Sequence, residues 1–228
     1  MKSFICLNYL VIAVLAVFLV SCNNSESGSA AAIDGISTSS QNEVQKLSLK
    51  PVEYIKWVED PENGFLLEKN INEFSYVALY KPGNYSTLVE MAVLEKINEE
   101  KFKEVQKTYE GMDYFTFKIA CSETKDELLR YKSSSSGEYF NRLEYFSFKA
   151  QNDFNLLNGT DTVKCELFHF ERSFGLAPVL TFVIGFSKPE KQLGPMTLIY
   201  EDRIFKNGTI KLLFEEEVLN NEPELVLN

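Results

Sequence analysis

Met196-Thr-Leu-Ile-Tyr-Glu-Asp-Arg-Ile-Phe-Lys-Asn-Gly-Thr-Ile-Lys-Leu-Leu-Phe214 carries the pattern that decides the fold. Two β-like runs, Met196 to Lys206 and Thr209 to Glu215, flank Asn207-Gly208. An Asn-Gly dipeptide between such runs is the strongest local hairpin signal, because both residues tolerate the positive φ of a tight turn. Working outward, Val179 to Phe186 is a near-continuous apolar run, the mark of a central strand. Val163, Cys165, Leu167 and His169 alternate along another strand. Phe115, Phe117, Ile119 and Cys121 share one face of the run Tyr114 to Cys121, so Cys121 points inward. Phe65 to Ile71 and Glu73 to Tyr80 form a further strand pair, closed off by Lys81-Pro-Gly-Asn84.

The period changes to 3.6 between Ser86 and Glu110. Met91, Leu94, Phe102, Val105 and Tyr109 fall on one stripe and charges fill the other face, with Asn98 as an interruption. Pro51 to Asp60 reads as a short helix with proline in its first turn and Pro61 beyond its end. A short helix is expected near Lys125 to Tyr131, then a Ser133–Gly137 loop, and a mixed segment from Tyr139 to Ala150 ending as a strand. The expected class is α+β: a predominantly antiparallel sheet with one long amphipathic helix and short helices packed on it.

Outside the sheet the chain divides into three parts. Lys2 is the only charge before an unbroken apolar run, Leu10 to Val20. Eleven residues are too few for a bilayer-spanning helix, which needs about 20, so the run reads as the core of an export signal. Leu19-Val20-Ser21-Cys22 resembles the lipobox of bacterial lipoproteins, an aliphatic residue three before a cysteine and a small one just before it. The resemblance implies a signal peptide over 1–21, cleavage before Cys22 and lipid on its sulfur; a plain secretory signal leaving Cys22 as a free thiol is the alternative. Residues 22–46, rich in Ser, Asn, Gly and Ala, read as a tether with an r.m.s. reach of about 25–30 Å. A single globular domain is expected over 47–228. Pro51 to Gly64 and Phe205 to Phe214 also resemble uncharacterised lipoproteins of Bacteroidota-type bacteria. That resemblance implies a cell-envelope, outer-membrane address, periplasmic or surface-facing, and no catalytic residues.

Charge narrows the partners. The chain has 23 basic and 33 acidic side chains, a formal net charge of −10, and loss of the signal removes Lys2 and no acid. Such a surface repels phosphate backbones, so nucleic acid is not an expected partner. The membrane is reached through the N-terminal lipid, and a stable anchor needs more than one acyl chain.

Motifs for chemistry are sparse. His169 is the only histidine, which excludes sites built on two imidazoles, and a Cys165–His169 pair on one strand face would lie roughly 13 Å apart at about 3.3 Å per residue. Neither a cofactor nor a metal is implied. With Cys6 in the signal and Cys22 lipidated, Cys121 and Cys165 are either a disulfide or two buried thiols. Asp161-Thr162-Val163 matches the short sequon that Bacteroidota-type bacteria O-glycosylate at the position of Thr162. Tyr54, Trp57 and Val58 share a helix face that docks on the core, or Tyr54 and Trp57 form an aromatic ledge for a glycan. Acid runs such as Glu99-Glu100 and Glu215-Glu-Glu217 fit solvated faces, or carboxylate hydrolysis if buried. The leading expectation is a membrane-tethered, non-enzymatic binding or assembly domain; a surface glycan binder and a carboxylate hydrolase are the alternatives.

Overall fold

The computed structural model describes residues 46–91, 97–172, 174, 177–189 and 194–227. The expected signal, Cys22 and the expected tether through Gln45 lie outside the described residues, as does Leu94. The elements run β1 (Ser48–Leu49), α1 (Pro51–Glu59), β2 (Leu66–Ile71), β3 (Phe74–Lys81), α2 (Gly83–Glu90), α3 (Glu99–Gln106) and β4 (Met112–Cys121). After them come α4 (Ser136–Phe148), β5 (Phe154–Asn158), β6 (Asp161–Glu171), β7 (Val179–Ser187), β8 (Met196–Asp202), β9 (Gly208–Phe214), α5 (Glu216–Asn220) and β10 (Glu224–Leu225). Eight strands form one sheet in the order β2-β3-β4-β7-β6-β5-β8-β9. Every neighbouring pair is antiparallel. The sheet curls until its edge strands β2 and β9 approach each other, so it is nearly a barrel. The class is α+β, with a large antiparallel sheet and few, short helices.

Alternation explains the interior. Phe74, Tyr76, Ala78 and Tyr80 of β3 are buried while the residues between them are half-buried. Phe115, Phe117 and Ile119 of β4 follow the same period. Rings then meet across the curl. Phe117 lies 5.1 Å from both Phe154 and Tyr200, and Phe115 lies 5.4 Å from Phe214. Each such ring removes about 1.5–3 kcal/mol worth of apolar surface from water. Closure is completed by a polar knot: the Tyr76 hydroxyl donates to Asp202 at 2.6 Å, and Asn207 Nδ2 donates to both, at 2.7 and 3.0 Å.

Four expectations are corrected. The single long amphipathic helix is two short ones, α2 and α3. Asn98 takes extended backbone (φ −80°, ψ 116°) and its side chain accepts from Lys101 N, an N-cap that starts a new helix. Tyr139 to Phe148 belong to helix α4, whose start is fixed by Ser135 Oγ accepting from Glu138 N, and Ala150 opens a 3-10 turn, so the segment does not end as a strand. A strand, β5, occupies Phe154–Asn158, where none was expected. Finally, β6 does not keep one face. A bulge between Cys165 and Leu167 adds a residue, so Phe168 and Phe170 turn inward while Leu167 and His169 are exposed. The bulge packs on Gly185, where an added Cβ would sit 3.1 Å from Leu167 Cβ and 3.0 Å from Met112 Cε.

The hairpin around Asn207-Gly208 stands, but wider than a two-residue turn. Asp202 pairs with Gly208 across a loop of residues 203–207. The Asp202 carboxylate holds that loop, accepting from Phe205 N at 2.9 Å and Asn207 N at 3.3 Å.

Tyr76→Phe should therefore cost about 1–3 kcal/mol in urea unfolding, the cost of stripping a donor from a buried carboxylate. Tyr114→Phe, whose hydroxyl reaches only the Met112 sulfur at 3.6 Å, should change stability by less than about 0.5 kcal/mol.

Candidate functional site

The two ends of the barrel differ. At one end, where the described chain begins, β1 pairs in parallel with β10, and Leu47 and Leu49 carbonyls accept from Glu224 and Val226. Here α1 docks as well, with the Tyr54 hydroxyl bonded to Glu222 and Tyr85 bonded to Glu59. The turns β2–β3, β6–β7 and β8–β9 lie at the opposite end, together with α4, whose Phe146 touches Phe170 and Phe205.

All four non-glycine residues with positive φ among the described residues sit at this second, distal end: Asn72 (52°), Lys132 (48°), Phe174 (49°) and Lys206 (60°). Asparagine tolerates that region. For lysine and phenylalanine it costs about 1–2 kcal/mol each. Strain gathered on one end of a fold is the pattern of a functional surface.

Two of the strained lysines line one pocket of about 350 Å³, bounded by Glu73, Phe74, Tyr131, Lys132, Glu138, Arg142, Ile204, Phe205 and Lys206. Its floor is aromatic: Phe74 packs 4.7 Å from Phe205 and edge-on to Tyr131 at 5.6 Å. Glu73 accepts from Lys132 Nζ at 2.8 Å and from the Tyr131 hydroxyl at 3.0 Å. The lysine hydrogen bond is the main reason its carboxyl drops to about 2. Glu138 is lowered too, by the Ser134 amide and hydroxyl and then by Arg142. Arg142 donates to the Leu129 and Tyr131 carbonyls and to Glu138, so it pins the preceding turn against α4. Lys206 is exposed and makes no hydrogen bond or ion pair among the described residues. The lining holds three cations and two ionised acids, an excess of one positive charge on an acidic protein.

The residues singled out from the sequence lie elsewhere. Tyr54 is fully buried with its hydroxyl on Glu222, and Trp57 is half-buried, edge-on to Phe65 at 5.2 Å. They dock on the core and form no ledge, which corrects the glycan-platform reading. Cys121 and Cys165 are free, buried thiols, which corrects the disulfide alternative. Cys165 pairs with Phe186 and Phe186 with Asp113, eight residues along β4 from Cys121. That offset is about 26 Å at ~3.3 Å per residue, against a Cα separation of about 7 Å that a disulfide tolerates. Burial pushes the Cys165 thiol up to about 11. His169 stands on the outer face, away from both thiols. Thr162 is exposed on β6, opposite Leu157. Glu99 and Glu100 open α3, and Glu216 and Glu217 open α5. No group of three or more metal-ligating side chains occurs among the described residues. Lys132, Arg142 and Lys206 carried no sequence signal, because a left-handed lysine looks like any other lysine.

A second polar cluster sits at the first end. Asp113 is 1% exposed; Oδ1 accepts from the Tyr80 hydroxyl at 3.0 Å, Lys188 Nζ lies 3.7 Å away, and Oδ2 has no hydrogen-bond partner among the described residues. Burial raises this carboxyl, outweighing Lys188. No family model, curated protein or solved structure matches the chain.

Lys206→Gly should stabilise the fold by about 0.5–1 kcal/mol, since relief of the left-handed lysine exceeds the extra entropy of unfolded glycine; denaturant midpoints measure it. Because the folded pKa of Asp113 is raised, its contribution is full below the ordinary aspartate range and is lost as pH rises through the raised value. Asp113→Asn should accordingly match the wild type near pH 4 and become the more stable form toward neutrality. The gap should grow by up to about 1.4 kcal/mol per pH unit within that window, read from unfolding curves across pH.

Proposed function

We propose that the chain is a lipid-tethered protein of a bacterial cell envelope whose folded domain is a non-enzymatic binding or assembly domain. It takes its ligand at the distal end of the barrel. The observation that carries the binding half is the convergence there of strained turns, an aromatic floor and an uncompensated cation. A packed ring interior holds those turns in place, and rigid support is what a binding surface needs.

The tethering half rests on Leu19-Val20-Ser21-Cys22 and on the short apolar run before it. In this reading acylation at Cys22 is the anchor; no helix among the described residues is long and apolar enough to cross a membrane. The likeness of the domain's two ends to Bacteroidota-type lipoproteins favours the outer membrane.

Cys22→Ser tests the anchor. The variant should move to the soluble fraction and lose the acyl mass that the parent carries. A variant still in the membrane, beside a parent without acyl chains, would overturn the reading.

A further inference from the structure

We infer that the distal pocket binds a carboxylate monoanion carried on an aromatic or similarly flat apolar group, with Lys206 as its counter-ion. The inference rests on the distal end being the binding face and adds the chemistry of the ligand. It is drawn from the division of labour among the pocket's charges. Lys132 is spent on Glu73, and Arg142 on Glu138 and two backbone carbonyls. Each acid is held ionised by its own donors, so neither needs a further cation. Of the pocket's charges Lys206 alone is without a partner among the described residues, and its backbone is held left-handed at φ 60° on the pocket rim. Buried Asp202 fixes the loop that carries it, through bonds to Phe205 N and Asn207 N on either side.

One free positive charge matches a monoanion. A phosphate dianion would leave an excess negative charge within contact of Glu73 and Glu138, at a cost that rises in a partly desolvated cleft. The rest of the wall selects for shape. Half-buried Tyr131, Ile204 and Phe205, backed by buried Phe74, offer an apolar surface that would gain little from acetate or another small anion, and rings on rings favour a flat group. Two sources share this chemistry: a free small aromatic acid, or the C-terminal carboxylate of a peptide ending in an aromatic residue.

The test uses the chain from residue 22 onward with Cys22→Ser, followed by NMR amide shifts at residues 131–132, 142 and 204–207. The probes are phenylacetate, N-acetylphenylalanine, N-acetylphenylalanine amide and inorganic phosphate. Saturable shifts are expected with phenylacetate or N-acetylphenylalanine and not with the amide. Tighter binding of N-acetylphenylalanine would mark a peptide end as the source; tighter binding of phenylacetate would mark a free acid. Lys206→Ala should weaken binding at least tenfold and Lys206→Arg by no more than a few-fold; both change an exposed side chain and leave the fold standing. Equal binding of the amide, binding of phosphate alone, or unchanged affinity in Lys206→Ala would overturn the carboxylate while leaving a distal binding face. Absence of saturable shifts with every probe would remove both.

Discussion

The structure depends on how phenol hydroxyls are accommodated inside a ring-filled barrel. Of the ten tyrosines among the described residues, eight donate to a carboxylate. The acceptors, in tyrosine order from Tyr54 to Tyr145, are Glu222, Asp202, Asp113, Glu59, Glu90, Glu73, Glu127 and Asp153. A hydroxyl left unpaired in such a core costs about 1–3 kcal/mol, whereas a bond to a charged acceptor contributes about 1.5–3. The chain's acidity therefore has a structural use beyond solubility: many of its acids are the acceptors that let tyrosine occupy the interior. Burial and the neighbouring carboxylates raise Tyr109 up to about 12 and Tyr76, Tyr80 and Tyr85 further. The stability this gives is present below the ordinary phenol pKa and is lost as pH rises through the raised values, so strong alkali attacks the same bonds that hold the barrel shut.

The seam shows the same economy. Strands β2 and β9 face each other without a hydrogen-bonded ladder, and open edges invite pairing with other chains. Lys69 of β2 lies opposite Tyr76, on the core side of the sheet. A cation turned toward the interior at an edge opposes the approach of another strand. Across the seam, Asn72 donates to Asn207 at 3.1 Å, tying the β2–β3 turn to the loop that bears Lys206. Closure and the candidate site thus share one set of contacts, from Tyr76 through Asp202 and Asn207 to the pocket rim.

Much of the sheet was legible because alternation survives wherever one face is a core and the other is not. β3 and β4 read correctly on that ground, β7 from its near-continuous apolar run and the β8–β9 hairpin from Asn207-Gly208. β6 did not, since a bulge is a backbone event that inverts parity without leaving a residue signature. The long helix failed at Asn98, where a capping side chain competed with the apolar stripe and won. Helix α4 was missed although Ser135 and Glu138 stand in capping-box spacing, because its exposed Phe140 and Phe148 blur the amphipathic pattern. Tyr54 was legible as a core anchor and misread as a ledge for one reason: periodicity tells which face is apolar, not whether that face is covered. The pocket was illegible altogether, being assembled from four separated segments and from φ angles that residue type does not announce.

A net charge of −10 and a carboxylate ligand are compatible because they act over different ranges. At physiological ionic strength the screening length is about 8 Å, so a bound anion senses Lys206, Lys132 and Arg142 with their acids and little of the remaining surface. The distant acids act on approach instead, lowering the encounter rate of any anion and lowering it more for higher charge. A monoanion is then favoured twice, by the field it crosses and by the single charge that awaits it. The lysine held left-handed at the rim makes the same point in the backbone: its strain is tolerated above the Tyr76–Asp202–Asn207 knot, so the barrel's closure also positions the one cation of the pocket lining that has no partner among the described residues.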